Sequence, residues 1–124
     1  YNKSFEERVL LELSQAYPEY TGWVDGFTSR LVDLLVPFRS FHYYHPMQKG
    51  SASLKSVLPA ITGKGYDGLA IAKGDDASLA YLRLAFDKLL PSEVEKMRLD
   101  LLKYCKLDTE GMIWILDELR GLST

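Results

Sequence analysis

Negative charge is missing from the middle of this chain. Residues 34–66 contain no aspartate or glutamate, yet they carry Arg39, Lys49, Lys55 and Lys64. Residues 1–33 hold six acids against Lys3, Arg8 and Arg30, and residues 67–124 hold eleven acids against eight bases. The net charge of −2 therefore hides a basic centre between acidic flanks. Such a centre suits either a polyanionic partner or a solvated loop surface. Cysteine is nearly absent too. Cys105 alone excludes an internal disulfide framework and suits a reducing, cytoplasmic compartment. No stretch approaches the roughly eighteen apolar residues of a membrane span, which argues against a membrane partner. YNKSFEERVL is too charged for a signal peptide. The chain lacks an initiator methionine and starts abruptly, which predicts a piece of a longer protein.

What is present is ordinary for a folded domain. With 124 residues, 47% of them hydrophobic, the chain suffices for one domain over 1–124, or for part of one. A domain of this size buries roughly two-thirds of its unfolded surface. Ser4 and Glu7 form an S-x-x-E capping box ahead of Phe5, Val9, Leu13 and Ala16 at helical spacing. Pro18 ends that helix, and Tyr20, Trp23, Val24, Phe27 and Leu31 read as a second. LVDLLVPF either prolongs it or forms a short strand before Pro37. Residues 38–52 have no helical period and read as an irregular loop with room for a short hairpin. Ser53 caps a brief helix stopped around Pro59, Asp75 or Asp76 caps another, and Ser92 with Glu95 opens a long final segment. The fold class is mostly α with little strand.

One charge stands out in the final segment. Val94, Met97, Leu101, Cys105, Asp108, Met112, Ile115 and Leu119 fall on one stripe at helical spacing, and Asp108 is its only ionisable carboxylate. A carboxylate taken from water needs a partner, a proton or a metal. Tyr104 lies four residues earlier, one turn away on the same face. A carboxylate that holds a divalent metal beside a phenol that orients water suits phosphodiester hydrolysis. The bland alternative breaks the helix at Leu107, with Asp108 and Thr109 capping a new one and Gly111 weakening the old. On the same stripe Cys105 reads as core. His42 and His45, with no Cys or carboxylate nearby, make a poor zinc site. Lys64 in G-K-G lacks the rest of a phosphate-binding loop. Phe41, Tyr43, Tyr44 and Tyr66 lie among the basic residues and suit either packing or base stacking.

Asn2, Phe5 and Glu6 in NKSFE, with Tyr104 and Asp108 in the Y-x-x-x-D of YCKLD, resemble the second and third motifs of DnaQ-like 3′–5′ exonucleases of the tyrosine-bearing subgroup. YNKSFEERVL, LVDLLVPF, YYHP, KGSASLKSVLPAI and YCKLDTEGM, in this order, resemble the carboxy-terminal part of a bacterial family, domain of unknown function 2779, over nearly the whole chain. The resemblance implies an RNase H-like α/β fold whose first sheet strands are missing from this chain. It implies Mg²⁺ or Mn²⁺ as cofactor and DNA or RNA as substrate. Glu6 and Asp108 would be metal ligands, and Tyr104 would position the attacking water. Asn2, Lys3, Lys49, Lys55 and Lys64 would grip the strand. The second motif normally carries aspartate where Glu6 stands, and the D-x-E first motif is absent. Two of the four carboxylates would then come from the upstream part of the same parent chain, and this piece alone is expected to be inactive. The competing expectation is a non-catalytic helical module that docks onto a partner or binds nucleic acid without cutting it.

Overall fold

A computed structural model describes residues 1–122, and it divides into two compact units, Tyr1–Val57 and the residues from Leu58 on. Among the described residues there are helices and turns but no strand. The mostly α expectation holds, and LVDLLVPF is not a strand.

In the first unit α1 spans Lys3–Ala16. Its N-cap is Asn2, in the left-handed region at φ 68°, whose carbonyl accepts from Phe5 N at 3.1 Å. The helix starts before Ser4, so the expected Ser4–Glu7 box does not form; the Ser4 hydroxyl instead donates to Asn2 Oδ1 at 3.1 Å. After Tyr17 the chain makes one 3₁₀ turn, Pro18–Tyr20, and enters α2, Thr21–Thr28, which packs back on α1. Val24 is buried there, and Trp23 stacks on Phe27 with ring centroids 5.1 Å apart.

LVDLLVPF is a turn followed by the single-turn helix α3, Val36–Arg39, with Pro37 in the first turn, where its missing N–H costs nothing. Phe38 from this turn is buried, and Tyr43 meets its ring edge-on at 5.9 Å. The basic loop forms no hairpin. A 3₁₀ turn, Pro46–Gln48, is capped reciprocally: His45 Nδ1 accepts from Met47 N at 3.2 Å, and Gln48 Oε1 accepts from His45 N at 2.8 Å. Gln48 is buried and donates to the Ser51 carbonyl at 3.2 Å. Its amide thus replaces the strand pairing that a hairpin would have supplied.

Helix α4, Leu54–Thr62, carries Pro59 inside it rather than stopping there, and ends at Gly63, whose φ of 68° is the left-handed C′ conformation. In the second unit α5 spans Gly74–Phe86 and packs on α6, Pro91–Leu122. The N-cap of α5 is Lys73, so Asp75 and Asp76 lie in the first turn, where the helix dipole favours them, rather than capping it. Pro91 opens α6 and Glu93 reaches back to Leu90 N at 2.9 Å. The cap expected at Ser92 is instead Leu90, two residues earlier, whose carbonyl accepts from Glu93 N and Val94 N. The helix then runs 32 residues without a break. Leu58, Ala60, Tyr66, Ile71, Ala80, Tyr104 and Ile115 form the buried centre of this unit.

Gly111 explains the weak point in the α6 sequence. A β-carbon there would lie 2.9 Å from Leu58 Cδ2, so glycine is what allows α4 to approach. Cys105 is exposed, which corrects its reading as core.

Candidate functional site

The unbroken helix removes the capping reading of Asp108. Leu107, Asp108, Thr109 and Gly111 are all interior to α6, so Asp108 caps nothing. The Thr109 hydroxyl donates back to the Cys105 carbonyl at 3.0 Å, which keeps it within the helix rather than at a new start. Asp108 is half-buried, and its neighbours are phenols.

Two elements build this cluster. Tyr104 comes from α6 itself, one turn before Asp108, and its hydroxyl hydrogen-bonds the carboxylate. Tyr66 comes from the loop after α4 and donates its hydroxyl to Asp108 Oδ1. The two rings touch, tilted at 46° with centroids 5.9 Å apart. Both tyrosines are largely buried, at 8% and 9% exposure. For each, burial first and the neighbouring carboxylate second push the phenol above its ordinary range. Both hydroxyls are therefore protonated donors, the form that a carboxylate acceptor requires.

The loop carrying Tyr66 is itself held. Gly63 turns it out of α4, Lys64 N donates to Thr62 Oγ1 at 3.1 Å, and the Lys64 ammonium lies 4.0 Å above the Trp114 ring centre on α6. Next along the chain, a β-carbon on Gly65 would lie 3.4 Å from Pro59 Cβ, and Leu69 N closes back onto the Tyr66 carbonyl at 3.1 Å.

Glu6 belongs to the other unit. It lies in the first turn of α1, and the Tyr1 nitrogen donates to its Oε1 at 3.2 Å. The hydroxyl of Tyr1 donates to the Ala52 carbonyl. Asp33 is also drawn in: its Oδ1 accepts from Asn2 N at 3.0 Å and Leu35 N at 2.9 Å. Burial opposes its ionisation, but the backbone N–H groups of Leu35, Lys3 and Asn2 outweigh it and hold the carboxyl below its ordinary range. Of the candidate strand-gripping residues, Asn2 and Lys3 sit at the start of α1, Lys49 follows the 3₁₀ turn at φ 50°, and Lys55 is on α4. These four share the first unit, whereas Lys64 is in the second, engaged with Trp114. His45 serves as a turn cap and His42 is exposed.

The sequence offered Tyr66 only for packing or base stacking, not as a partner of Asp108, and left Asp33 outside the candidate set. No local signal finds Tyr66, because its partner lies 42 residues away. Asp33 had one, the Asx-type turn pattern of an aspartate two residues before its N–H donor.

Chemically, the cluster offers one oriented carboxylate with two phenol donors. Among the described residues no three His, Cys, Asp or Glu side chains come together as a metal-holding group. The ligand set in this chain does not by itself fit a pair of divalent ions, which need carboxylates bridging centres about 4 Å apart.

No helix among the described residues is long and apolar enough to cross a membrane. No solved structure matches this chain. Two curated relatives do, "Uncharacterized protein MG366" of Mycoplasma genitalium and its homolog in Mycoplasma pneumoniae, at 30% and 31% identity over 93% of this chain. The chain spans only 19% of the length of either relative. The family model "Domain of unknown function (DUF2779)" matches residues 1–53, a shorter stretch than the resemblance read from the sequence.

Proposed function

We propose that this chain is the carboxy-terminal portion of an RNase H-like, metal-dependent 3′–5′ exonuclease domain acting on DNA or RNA, inactive without the rest of its parent protein. The observation that carries this reading is Asp108. It sits inside an unbroken helix, half-buried, beside the Tyr104 phenol of the Y-x-x-x-D pair. Capping, the ordinary use for an aspartate in such a sequence, does not account for it. In the complete domain Asp108 would help to hold Mg²⁺ or Mn²⁺, which would activate water, and Tyr104 would orient that water; Glu6 is a separate candidate ligand in the first unit. The relatives support a longer parent, since their matching region is about a fifth of each.

The test uses the parent protein with end-labelled single-stranded DNA and RNA, in Mn²⁺ or in EDTA. Metal-dependent shortening that Asp108→Asn abolishes is the expected result. A folded parent that does not cut, or cuts equally well with Asp108→Asn, overturns the reading.

A second reading, a non-catalytic docking module, is favoured by the α5–α6 surface. Phe86 is 80% exposed, and Leu90, Leu99 and Leu102 are exposed as well. A groove between the two helices, lined by Tyr81, Leu84, Val94, Leu101 and Cys105 among others, is predominantly apolar. Large contiguous apolar patches are rare on complete monomers and mark docking sites. Cys105 reports on this surface. A thiol reagent that labels it in this chain, and fails to label it in the parent, places the remainder of the parent over the groove.

A further inference from the structure

Two exposed aromatic rings in contact need an explanation that single exposed rings do not. The basic loop of the first unit holds such a pair. The sequence offered Phe41, Tyr43, Tyr44 and Tyr66 for packing or base stacking, and the structure divides them. Tyr43 meets the buried Phe38 edge-on, and Tyr66 is buried beside Tyr104, so both serve packing. Phe41 and Tyr44 touch each other, with ring centroids 5.9 Å apart and planes tilted at 45°, yet they remain 67% and 44% exposed. We propose that the Phe41–Tyr44 pair, flanked by Arg39 and Lys49, is a binding platform for single-stranded nucleic acid. The platform rests on the nucleic-acid part of the function proposed above, and on neither a metal nor cleavage.

The loop is built to hold these rings outward. Phe41 has φ 54°, a left-handed setting that disfavours a bulky residue, and its ring stays in solvent all the same. Phe41 N donates to the Phe38 carbonyl at 3.3 Å and Tyr43 N to the Pro37 carbonyl at 3.1 Å, so α3 holds the bend. The Tyr44 hydroxyl accepts from Gly50 N at 3.2 Å, which pins the far end of that ring to the turn after Pro46–Gln48. A strained residue held by its surroundings is common where a loop clamps a ligand.

Charge selects the partner. Arg39 lies two residues before Phe41, and Lys49 immediately precedes the Gly50 that holds Tyr44, so the chain supplies a cation on either side of the pair. Both cations are exposed. No acid occurs from Leu34 to Tyr66, and Asp33 just before is engaged by the N–H groups of Asn2 and Leu35. Aromatic faces beside cations fit a strand whose bases stack on the rings while its phosphates meet the charges. A duplex does not fit, because its base faces are already stacked on one another. An acidic peptide would meet the cations but offers the rings no series of flat faces.

The experiment measures binding of fluorescein-labelled oligo-dT and oligo-U to the parent protein by anisotropy, in EDTA so that no cutting interferes. A blunt DNA duplex of equal length and phosphatidylglycerol vesicles are the comparison ligands. Phe41→Gly removes the ring at a backbone setting that glycine adopts without steric cost, so the loop keeps its shape. Phe41→Trp keeps a stacking face. Lys49→Asn removes a charge with a residue that tolerates the left-handed setting of that position. Phe41→Gly should weaken single-strand binding about 5- to 150-fold, the loss of one base stack, whereas Phe41→Trp should preserve it. Lys49→Asn should reduce the slope of log affinity against log salt by about 0.7, as for one phosphate contact on a single strand.

Unchanged binding by a folded Phe41→Gly protein, or a salt slope indifferent to Lys49→Asn, overturns the platform. So does a Phe41→Trp protein that binds as poorly as Phe41→Gly, since the loop rather than the ring face would then be at fault. A duplex bound as tightly as the single strands overturns the stacking, and vesicles bound as tightly make the patch a membrane surface instead. A parent that binds no oligonucleotide overturns it as well and leaves the rings to a protein partner. The exonuclease reading fails separately: a parent that never cuts in Mn²⁺, or cuts equally well with Asp108→Asn, loses that reading while strand binding through Phe41 stands.

Discussion

Gly111 of α6 and Leu58 of α4 approach so closely that a β-carbon on the glycine would stand 2.9 Å from one Leu58 methyl and 3.3 Å from the other. Leu58 is fully buried, so its side chain has to shift within the core to make room. Gly111→Ala gains about 1 kcal/mol of helix propensity. Overpacking costs about 1–3 kcal/mol. The expected outcome is a net loss of about 1 kcal/mol and a lower Tm. Leu58→Ala costs about 2–5 kcal/mol by itself. Adding Gly111→Ala to Leu58→Ala should stabilise rather than destabilise, and a double-mutant cycle by chemical denaturation shows the change of sign.

The same pair shows where the sequence was legible and where it was not. The apolar periodicity of Phe5, Val9 and Leu13, and of Val94, Met97 and Leu101, is a local signal, and α1 and α6 follow it. Helix starts were placed less well, because the Asn2 and Leu90 carbonyls take the first helical bonds ahead of the expected serines. Gly111 looked like a helix breaker, since its justification is a leucine 53 positions earlier in the chain. Cys105 occupied the apolar stripe and yet faces solvent. A stripe wider than the partner helix it meets leaves some of its members uncovered. Of the candidate site, the Tyr104–Asp108 pair was readable as a helical spacing, whereas Tyr66 reaches Asp108 through a loop that no periodicity describes.

Alkaline pH should unfold the second unit through its two phenols. Tyr66 and Tyr104 are raised above their ordinary value of 10.0, by burial first and Asp108 second. A group whose folded pKa is raised contributes stability that is complete below its unfolded pKa and is lost as pH climbs beyond it. The denaturation midpoint should thus hold steady up to about pH 9 and fall beyond about pH 10. Tyr66→Phe should flatten that fall, and denaturant titrations at successive pH values measure it. An equally steep fall in the variant would remove Tyr66 as a cause.

Asp33 predicts the opposite end of the scale for the first unit. Burial works against its charge, but the N–H groups of Leu35, Lys3 and Asn2 win, so its folded pKa lies below the ordinary 3.8. Its contribution is present above that value and disappears as pH falls through the folded pKa. Asp33→Asn should weaken the first unit at neutral pH and leave little difference from the unchanged chain in strong acid. Acid titration followed by the fluorescence of Trp23 tests both halves. A variant equal in stability at neutral pH would show that the Asn2 and Leu35 contacts contribute nothing measurable.

Lys64 gives a prediction about the loop that carries Tyr66. Its ammonium lies 4.0 Å over the Trp114 ring, close enough for the ring's negative face to attract the charge. The side chain of Lys64 is solvent-exposed, so the attraction is that of a wet cation–π contact, about 0.5–1 kcal/mol. Lys64→Met keeps most of the stem and removes the charge. It should cost about that amount and change the emission of Trp114, read in a Trp23→Phe background so that one indole reports. The larger effect should appear one step along the chain. Freed from Trp114, the loop holds Tyr66 less firmly, and the Asp108 carboxyl resonance should broaden as its phenol partner exchanges between settings. Loss of the indole signal change together with an unbroadened resonance would mean that Tyr66 is anchored by its own burial, and that Lys64 decorates the loop without holding it.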